Sequence, residues 1–285
     1  YKRQVITREL REAAEYEGIA PETLVHCITN YVTVNDCANA ILAVGGAPVM
    51  ADDEAEAAEI AGIADALVIN IGTLNARTIR SMELAGLEAA RRGIPIVLDP
   101  VGAGASSFRT ETARSLLEKI PFTVIRGNAS EIRTLSSGTG TTRGVDASEA
   151  DARETGLDAI RREAMLLALK TKATVAVTGE TDVVTDGRKA FAIRNGHPLM
   201  GRITGSGCML TAVLGAFAGA NAKCTASLET IDATAAALCA MGIAGERAAR
   251  AAAKAGTGSY RVALIDALSR LSAKDVLKGM KLDAY

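Results

Sequence analysis

The amino-acid sequence predicts an α/β fold: a mostly parallel central sheet with helices on both faces and an antiparallel hairpin at its edge. Three observations lead there. Short apolar runs alternate along the chain with longer amphipathic segments. Four of the runs are nearly continuous in Val, Ile and Leu, as in parallel strands covered on both faces. One later stretch is built about an Asp-Gly pair, the sign of a hairpin turn.

A first helical stripe is formed by Ala38, Ile41, Leu42 and Gly45, closed by Gly45-Gly46. Ala66–Gly72 (ALVINIG) is the first strand-like run. Ile79, Met82, Gly86 and Ala89 make the next helical stripe, which Gly93 stops, with Pro95 two residues on. Ile94–Asp99 (IPIVLD), Thr123–Arg126 (TVIR) and Thr174–Thr178 (TVAVT) are further strands. Asp182–Gly196 reads as two short strands about Asp186-Gly187. Gly205–Gly219 and Glu229–Lys254 are Ala-rich and helical. Strand–helix alternation of this kind implies right-handed crossovers and a doubly covered sheet. Residues 136–151 (SSGTGTTRGVDASEAD) read as a loop of low order, too short to split the chain, so a single domain is expected over residues 1–285.

Composition narrows the function. A formal net charge of −1 gives no reason to expect nucleic acid or an anionic membrane as partner, and the absence of Trp weakens a base-stacking platform. No apolar run reaches bilayer length, and the charged N-terminal stretch has no signal-peptide core. Five cysteines, none in a Cys-x-x-Cys pair, and two histidines give no zinc spacing; reduced thiols in a cytoplasm are the simplest reading.

In a parallel α/β sheet, ligands bind beyond the carboxyl ends of the strands. IPIVLD is followed by Pro100-Val101-Gly102, TVIR by Gly127-Asn128-Ala129-Ser130-Glu131, and TVAVT by Gly179-Glu180. Asp99 reads as a turn or cap residue and Glu131 as an ordinary first-turn helix acid; together they also suit Mg²⁺, which favours one or two carboxylates plus phosphate oxygens. The turn Thr204-Gly205-Ser206-Gly207-Cys208 precedes an apolar helix. Small residues there would let backbone N–H groups at the helix start meet a phosphate, although a tight packing loop has the same look. The turn is neither a Walker loop nor a GxGxxG fingerprint. Cys208 fits three roles: a nucleophile without a visible partner, a thiol at a helix N-terminus, or a small buried apolar residue. His26 and His197 read best as locally hydrogen-bonded.

The segments VHCITNYVTVNDCANAILAVGGAPVMA (25–51), INIGTL (69–74), PIVLDPVGAGASSFRT (95–110), IRGNASEI (125–132), VTGETDVV (177–184) and NGHPLMGRITGSGCMLTAVLGAFAG (195–219) run in family order, and the chain resembles the hydroxyethylthiazole kinases of the thiamine pathway. The resemblance implies a ribokinase-like three-layer α/β/α fold and ATP-dependent phosphorylation of 4-methyl-5-(2-hydroxyethyl)thiazole. Carried over, Met50 and Gly205 would contact the thiazole, with Asn30 on the same side. Arg126 and Thr178 would contact ATP, and Asp99 and Glu131 would lie near Mg²⁺. The backbone of Gly205, Ser206, Gly207 and Cys208 would receive the transferring phosphoryl, with Cys208 beside the attacking alcohol. Family members are typically homotrimers with sites at subunit interfaces. Wider ribokinase-like enzymes usually carry an acid where this turn has Cys208, so whether Cys208 acts as base or positions the alcohol stays open. Residues 136–151 match no quoted piece of the pattern. A kinase of another alcohol, such as hydroxymethylpyrimidine, uses the same frame; a nicotinamide-hydrate dehydratase would carry an acid at 208.

Overall fold

The computed structural model describes residues 23–137, 156–225 and 227–285. The expected loop over 136–151 lies outside them from residue 138 onward. Within the described residues the chain runs β1 (Leu24–Ile28), α1 (Val34–Ala43), β2 (Ala47–Val49), α2 (Ala57–Ala61), β3 (Ala66–Asn70), α3 (Ala76–Arg92), β4 (Ile96–Asp99), α4 (Ser107–Lys119), β5 (Val124–Asn128) and α5 (Ala129–Ser136). It continues with α6 (Gly156–Thr171), β6 (Thr174–Thr178), β7 (Asp182–Thr185), β8 (Ala190–Ile193), α7 (Ser206–Lys223), α8 (Thr230–Ala251), α9 (Thr257–Ser269), α10 (Ala273–Gly279) and β9 (Leu282–Ala284).

The strands form one sheet in the order β2-β1-β3-β4-β5-β6-β7-β8-β9, parallel as far as β6 and antiparallel from β6 to β9. Neighbouring residues of a strand point to opposite faces. Val25, Val68, Val97 and Val124 accordingly meet α7 and α8 on one face. Ile28, Leu67, Ile69, Leu98 and Ile125 meet α2, α3 and α4 on the other. This is the three-layer α/β/α arrangement that the unbroken apolar runs predict.

Local chemistry sets the element ends. The Asn75 side chain accepts the Thr78 amide at 3.0 Å, and the Thr78 hydroxyl takes the Asn75 amide, a capping box that starts α3. Gly93, at φ 70°, ends it in the left-handed conformation that glycine adopts without strain.

The apolar runs miss three strands. His26 interrupts β1, but its Nε2 pairs with the Ala51 carbonyl at 2.7 Å, which offsets part of the cost of its burial, while Nδ1 has no partner among the described residues. β2 and β9 have three residues each, and β2 contains Pro48, tolerated because the strand is at the sheet edge. The run expected over 66–72 leaves the sheet after Asn70, and the strand expected to end at Arg126 continues to Asn128.

Helix α7 lies unusually close to the sheet. A Cβ placed on Gly215 would stand 2.4 Å from Val68 Cγ2 and 3.1 Å from Val25 Cγ1. Gly215→Ala gains about 1 kcal/mol of helix propensity, but overpacking a filled core costs roughly 1–3 kcal/mol. The variant is expected to unfold at lower temperature, and trimming the obstacle with Val68→Ala is expected to make the glycine substitution harmless or favourable. Equal losses in both backgrounds would contradict the contact.

Candidate active site

Helix α7 begins at the carboxyl ends of the strands. Gly205 is its N-cap, at φ 82°. A Cβ there would stand 2.4 Å from Thr33 Cγ2, so conformation and space both require glycine. The Gly205 carbonyl accepts the first helical bond, from Met209 N at 2.8 Å. The cap has no side-chain acceptor, and the amides of Ser206, Gly207 and Cys208 form the unpaired first turn.

Arg126, from β5, lies across this turn: a Cβ on Gly207 would be 2.6–2.9 Å from its guanidinium atoms. The Arg126 side chain is 12 % exposed, and its guanidinium is held in place on two sides. It donates to Thr178 Oγ1 at 2.5 Å and to both Asp99 oxygens at 3.4 Å, while its buried Nε has no hydrogen-bond partner among the described residues. A guanidinium beside the positive end of a helix favours an anion held between them.

Asp99 is fully buried at the end of β4. Oδ2 accepts from Thr211 Oγ1 at 2.8 Å and from Asn70 Nδ2 at 3.0 Å. Burial pushes its pKa up, opposed chiefly by Arg126 and Thr211. Glu131 has a structural task as well. Its oxygens take the amides of Gly102 and Asn128, each at 2.8 Å, and the Asn128 side chain returns a bond to the Glu131 amide at 2.9 Å. The first-turn role read from the sequence is thus realised as a capping box on α5, one that also ties down the loop after β4.

The Cys208 sulfur faces two amides, accepting from Asn30 Nδ2 at 3.3 Å and Asn70 Nδ2 at 3.2 Å. Burial pushes the thiols of Cys37 and Cys239 up to about 12 and raises that of Cys27 too. Next to Asn70 lies a cavity of about 320 Å³, with Met50, Tyr31, Val34 and Met82 among its walls. His26 fixes the backbone beside Met50 through the Ala51 carbonyl. At the cavity wall Arg77 is paired with Asp52 at 3.1 Å. His197 accepts the Leu199 amide at 3.2 Å as a local cap, the role expected of it.

Asn30, Asp99, Arg126, Thr178, Gly205, Ser206, Gly207 and Cys208 therefore form one cluster, with Glu131 at its flank and Met50 in the adjoining cavity. Sequence reasoning passed over Asn70, Thr211, Arg109 and Asp182. Asn70 ends a fully buried strand, and Thr211 follows Cys208 by three residues on one helical face. A polar residue in an otherwise apolar run was the available signal. Arg109 joins the loops after β3 and β4, donating to Gly72 O at 2.7 Å and Val101 O at 2.8 Å.

The sequence profile of the hydroxyethylthiazole kinase family matches residues 19–274. The hydroxyethylthiazole kinase of Ruminiclostridium cellulolyticum is 51 % identical over 248 residues, covering 87 % of this chain and 88 % of its own. That of Methanocella arvoryzae is 46 % identical over 277 residues, covering 95 % and 98 %. The solved hydroxyethylthiazole kinase from Pyrococcus horikoshii superposes with a TM-score of 0.82 at 40 % identity, covering 99 % of each chain. Staphylococcus aureus pyridoxal kinase shares the fold alone, with a TM-score of 0.58 at 15 % identity, covering 80 % of this chain and 88 % of that one.

Two predictions follow from this geometry. Gly205→Ala is expected to cost at least about 1–2 kcal/mol from the left-handed backbone alone, and more from the Thr33 methyl. Thr33→Ser, which removes that methyl, is expected to return part of the loss in thermal unfolding; no recovery would contradict the contact. Asp182 sits half-buried at the start of β7, accepts the Gly179 amide at 2.9 Å, and has its pKa raised to about 6 by burial, against the pull of that amide and of Arg126. The folded chain holds this proton more tightly than the open chain does. Asp182 thus contributes stability that is fully present below the ordinary carboxylate range and lost as pH rises through about 6. Asp182→Asn is expected to be more stable than the parent at pH ~7.5 by about 1–3 kcal/mol, with the difference vanishing near pH ~4. Parallel stability–pH curves for the two proteins would contradict this.

Proposed function

The chain belongs to the hydroxyethylthiazole kinase family and is a kinase that phosphorylates hydroxyethylthiazole with ATP, and from that premise we propose how its residues divide the work. The thiazole alcohol occupies the cavity beside Met50 and Asn70, its hydroxyl directed to Cys208 and its ring near Gly205. The ATP phosphates lie over the first turn of α7 with Arg126 and Thr178 beside them. The amides of Ser206, Gly207 and Cys208 and the unpaired Arg126 Nε receive the oxygens of the transferring phosphoryl. Phosphoryl transfer has a loose transition state, so aligned donors and charge matter more than a strong base. Cys208 acts as the group that orients the alcohol oxygen in line. The observation that carries this reading is the approach of Arg126 to the helix start at Gly207.

The donor set fits Mg²⁺. Asp99 and Glu131 lie on one rim, Asp99 paired with Arg126 and Glu131 holding the Gly102 amide of the loop that Arg109 braces. Magnesium keeps several waters and takes one or two carboxylates, which suits a Glu131 whose oxygens already hold backbone amides. Asp99 and Glu131 would hold the ion, and when bound it would neutralise phosphate charge. The protein is further read as a homotrimer working in the cytoplasm. Tyr31 and Val32, 76 % and 61 % exposed beside the cavity, suit burial against a neighbouring subunit, and five free cysteines suit a reducing compartment.

ADP release measured with ATP, Mg²⁺ and a panel of alcohols is expected to be fastest with the thiazole alcohol and to stop on chelation. Cys208→Ala should lower kcat more than it raises KM, and an unchanged kcat would remove Cys208 from the reaction.

A further inference from the structure

We propose that Asn70 is a positioning residue for the phosphoryl transfer, its amide fixing the Cys208 sulfur in one relation to Asp99. The proposal rests on the reading of Cys208 given above. Asn70 is the last residue of β3 and is 2 % exposed. Its Nδ2 donates to Asp99 Oδ2 at 3.0 Å and to Cys208 Sγ at 3.2 Å. Its Oδ1 accepts from Asn30 Nδ2 at 3.1 Å and from the Gly72 amide at 2.9 Å.

A primary amide has two N–H donors and one oxygen with two lone pairs, and here each of the four is in use. Turning this amide over would set its N–H groups against the Gly72 and Asn30 donors and its oxygen against the Asp99 carboxylate. Such losses at buried polar atoms hold the side chain to one orientation. An amide that served only to finish a strand would be satisfied by nearby backbone. Asn70 gives one bond to the adjacent loop and three to side chains brought from the segment after β1, from β4 and from the start of α7.

The effect on the sulfur is geometric. Cys208 Sγ meets two N–H donors, one from Asn70 and one from Asn30, and Asn30 is itself held by Thr33 Oγ1 donating to its Oδ1 at 3.0 Å. With these directions taken, the sulfur keeps a defined side for the alcohol, and Asn70 also borders the acceptor cavity. Asp99, on the other N–H of the same amide, is the residue that holds Arg126 against the phosphate turn. Asn70 is thus the shortest link between the group that faces the alcohol and the charges that face the phosphates. Loss of this link should affect the reacting geometry more than the binding of either substrate.

The test is a double-mutant cycle on the full chain, reading kcat and both KM values with ATP, Mg²⁺ and the thiazole alcohol. Asn70→Ala is expected to lower kcat about 10- to 100-fold, comparable to or somewhat below the loss of one charge-stabilising donor, with both KM values within roughly threefold. In a Cys208→Ala background the same change is expected to cost less than about threefold, because the sulfur it positions is gone. Asn70→Ser removes both amide donors without adding a charge beside Asp99, and should be as slow as Asn70→Ala; should the alanine variant not fold, the cycle is run with it. Wild-type kcat in an Asn70 variant would overturn the proposal. So would an equal loss with and without Cys208, the pattern of a merely structural residue. The two readings separate cleanly: a Cys208→Ala enzyme with full kcat removes the role given to the thiol, whereas a slow Cys208→Ala enzyme with multiplicative losses removes only the link through Asn70.

Discussion

A carboxylate with no exposure to water stands at the end of β4, and the rim is organised around it. Asp99 is met by Arg126 from β5, Asn70 from β3 and Thr211 from α7. An isolated buried charge is expensive, and removing one partner of a buried pair typically costs about 3–5 kcal/mol. Arg126 is thereby committed to a place it would otherwise avoid, beside the positive start of a helix. That placement leaves a surplus of positive potential and an unpaired Nε, which a phosphate can satisfy. Stability and recognition therefore rest on one ion pair.

The helix can take its position because its inner face is cut back to glycine. Gly215 and Gly219 leave room for Val68 and Thr23, so α7 presses against β1 and β3. Its first turn then arrives at the strand ends, and one helical turn places Cys208 and Thr211 on the same side, toward Asn70 and Asp99. Close packing in the core thus sets where three backbone amides point at the surface of the site.

The parts legible in the sequence are those with local causes. Unbroken apolar runs gave the central strands, the Asp186-Gly187 turn gave the β7–β8 hairpin, and the strand-end position gave Asp99, whereas Arg126 and Thr178 came only with the family resemblance. The strands that escaped are short or carry a polar interruption whose partner is remote: His26 is matched by Ala51, twenty-five residues away. The same holds within the site. Asn70 looks like an ordinary strand end until Cys208, separated by 138 positions, is folded against it. Glu131 shows the opposite case, since its spacing from Asn128 announces a capping box locally, whereas its hold on Gly102 depends on the fold.

The contact between Thr33 and Gly205 has an evolutionary consequence. Thr33 belongs to the segment after β1 whose neighbours Tyr31 and Val34 line the cavity proposed for the alcohol, and its methyl rests on the backbone of the Gly205 turn. A lineage adapting to a different alcohol would draw its variation from this segment first. It could not do so freely, because enlarging residue 33 would press on Gly205 and the turn proposed to hold the transferring phosphoryl. On the proposed assignment, selectivity and turnover would be coupled through residue 33, and the cavity residues free of that coupling would be Met50, Met82 and the Arg77–Asp52 pair.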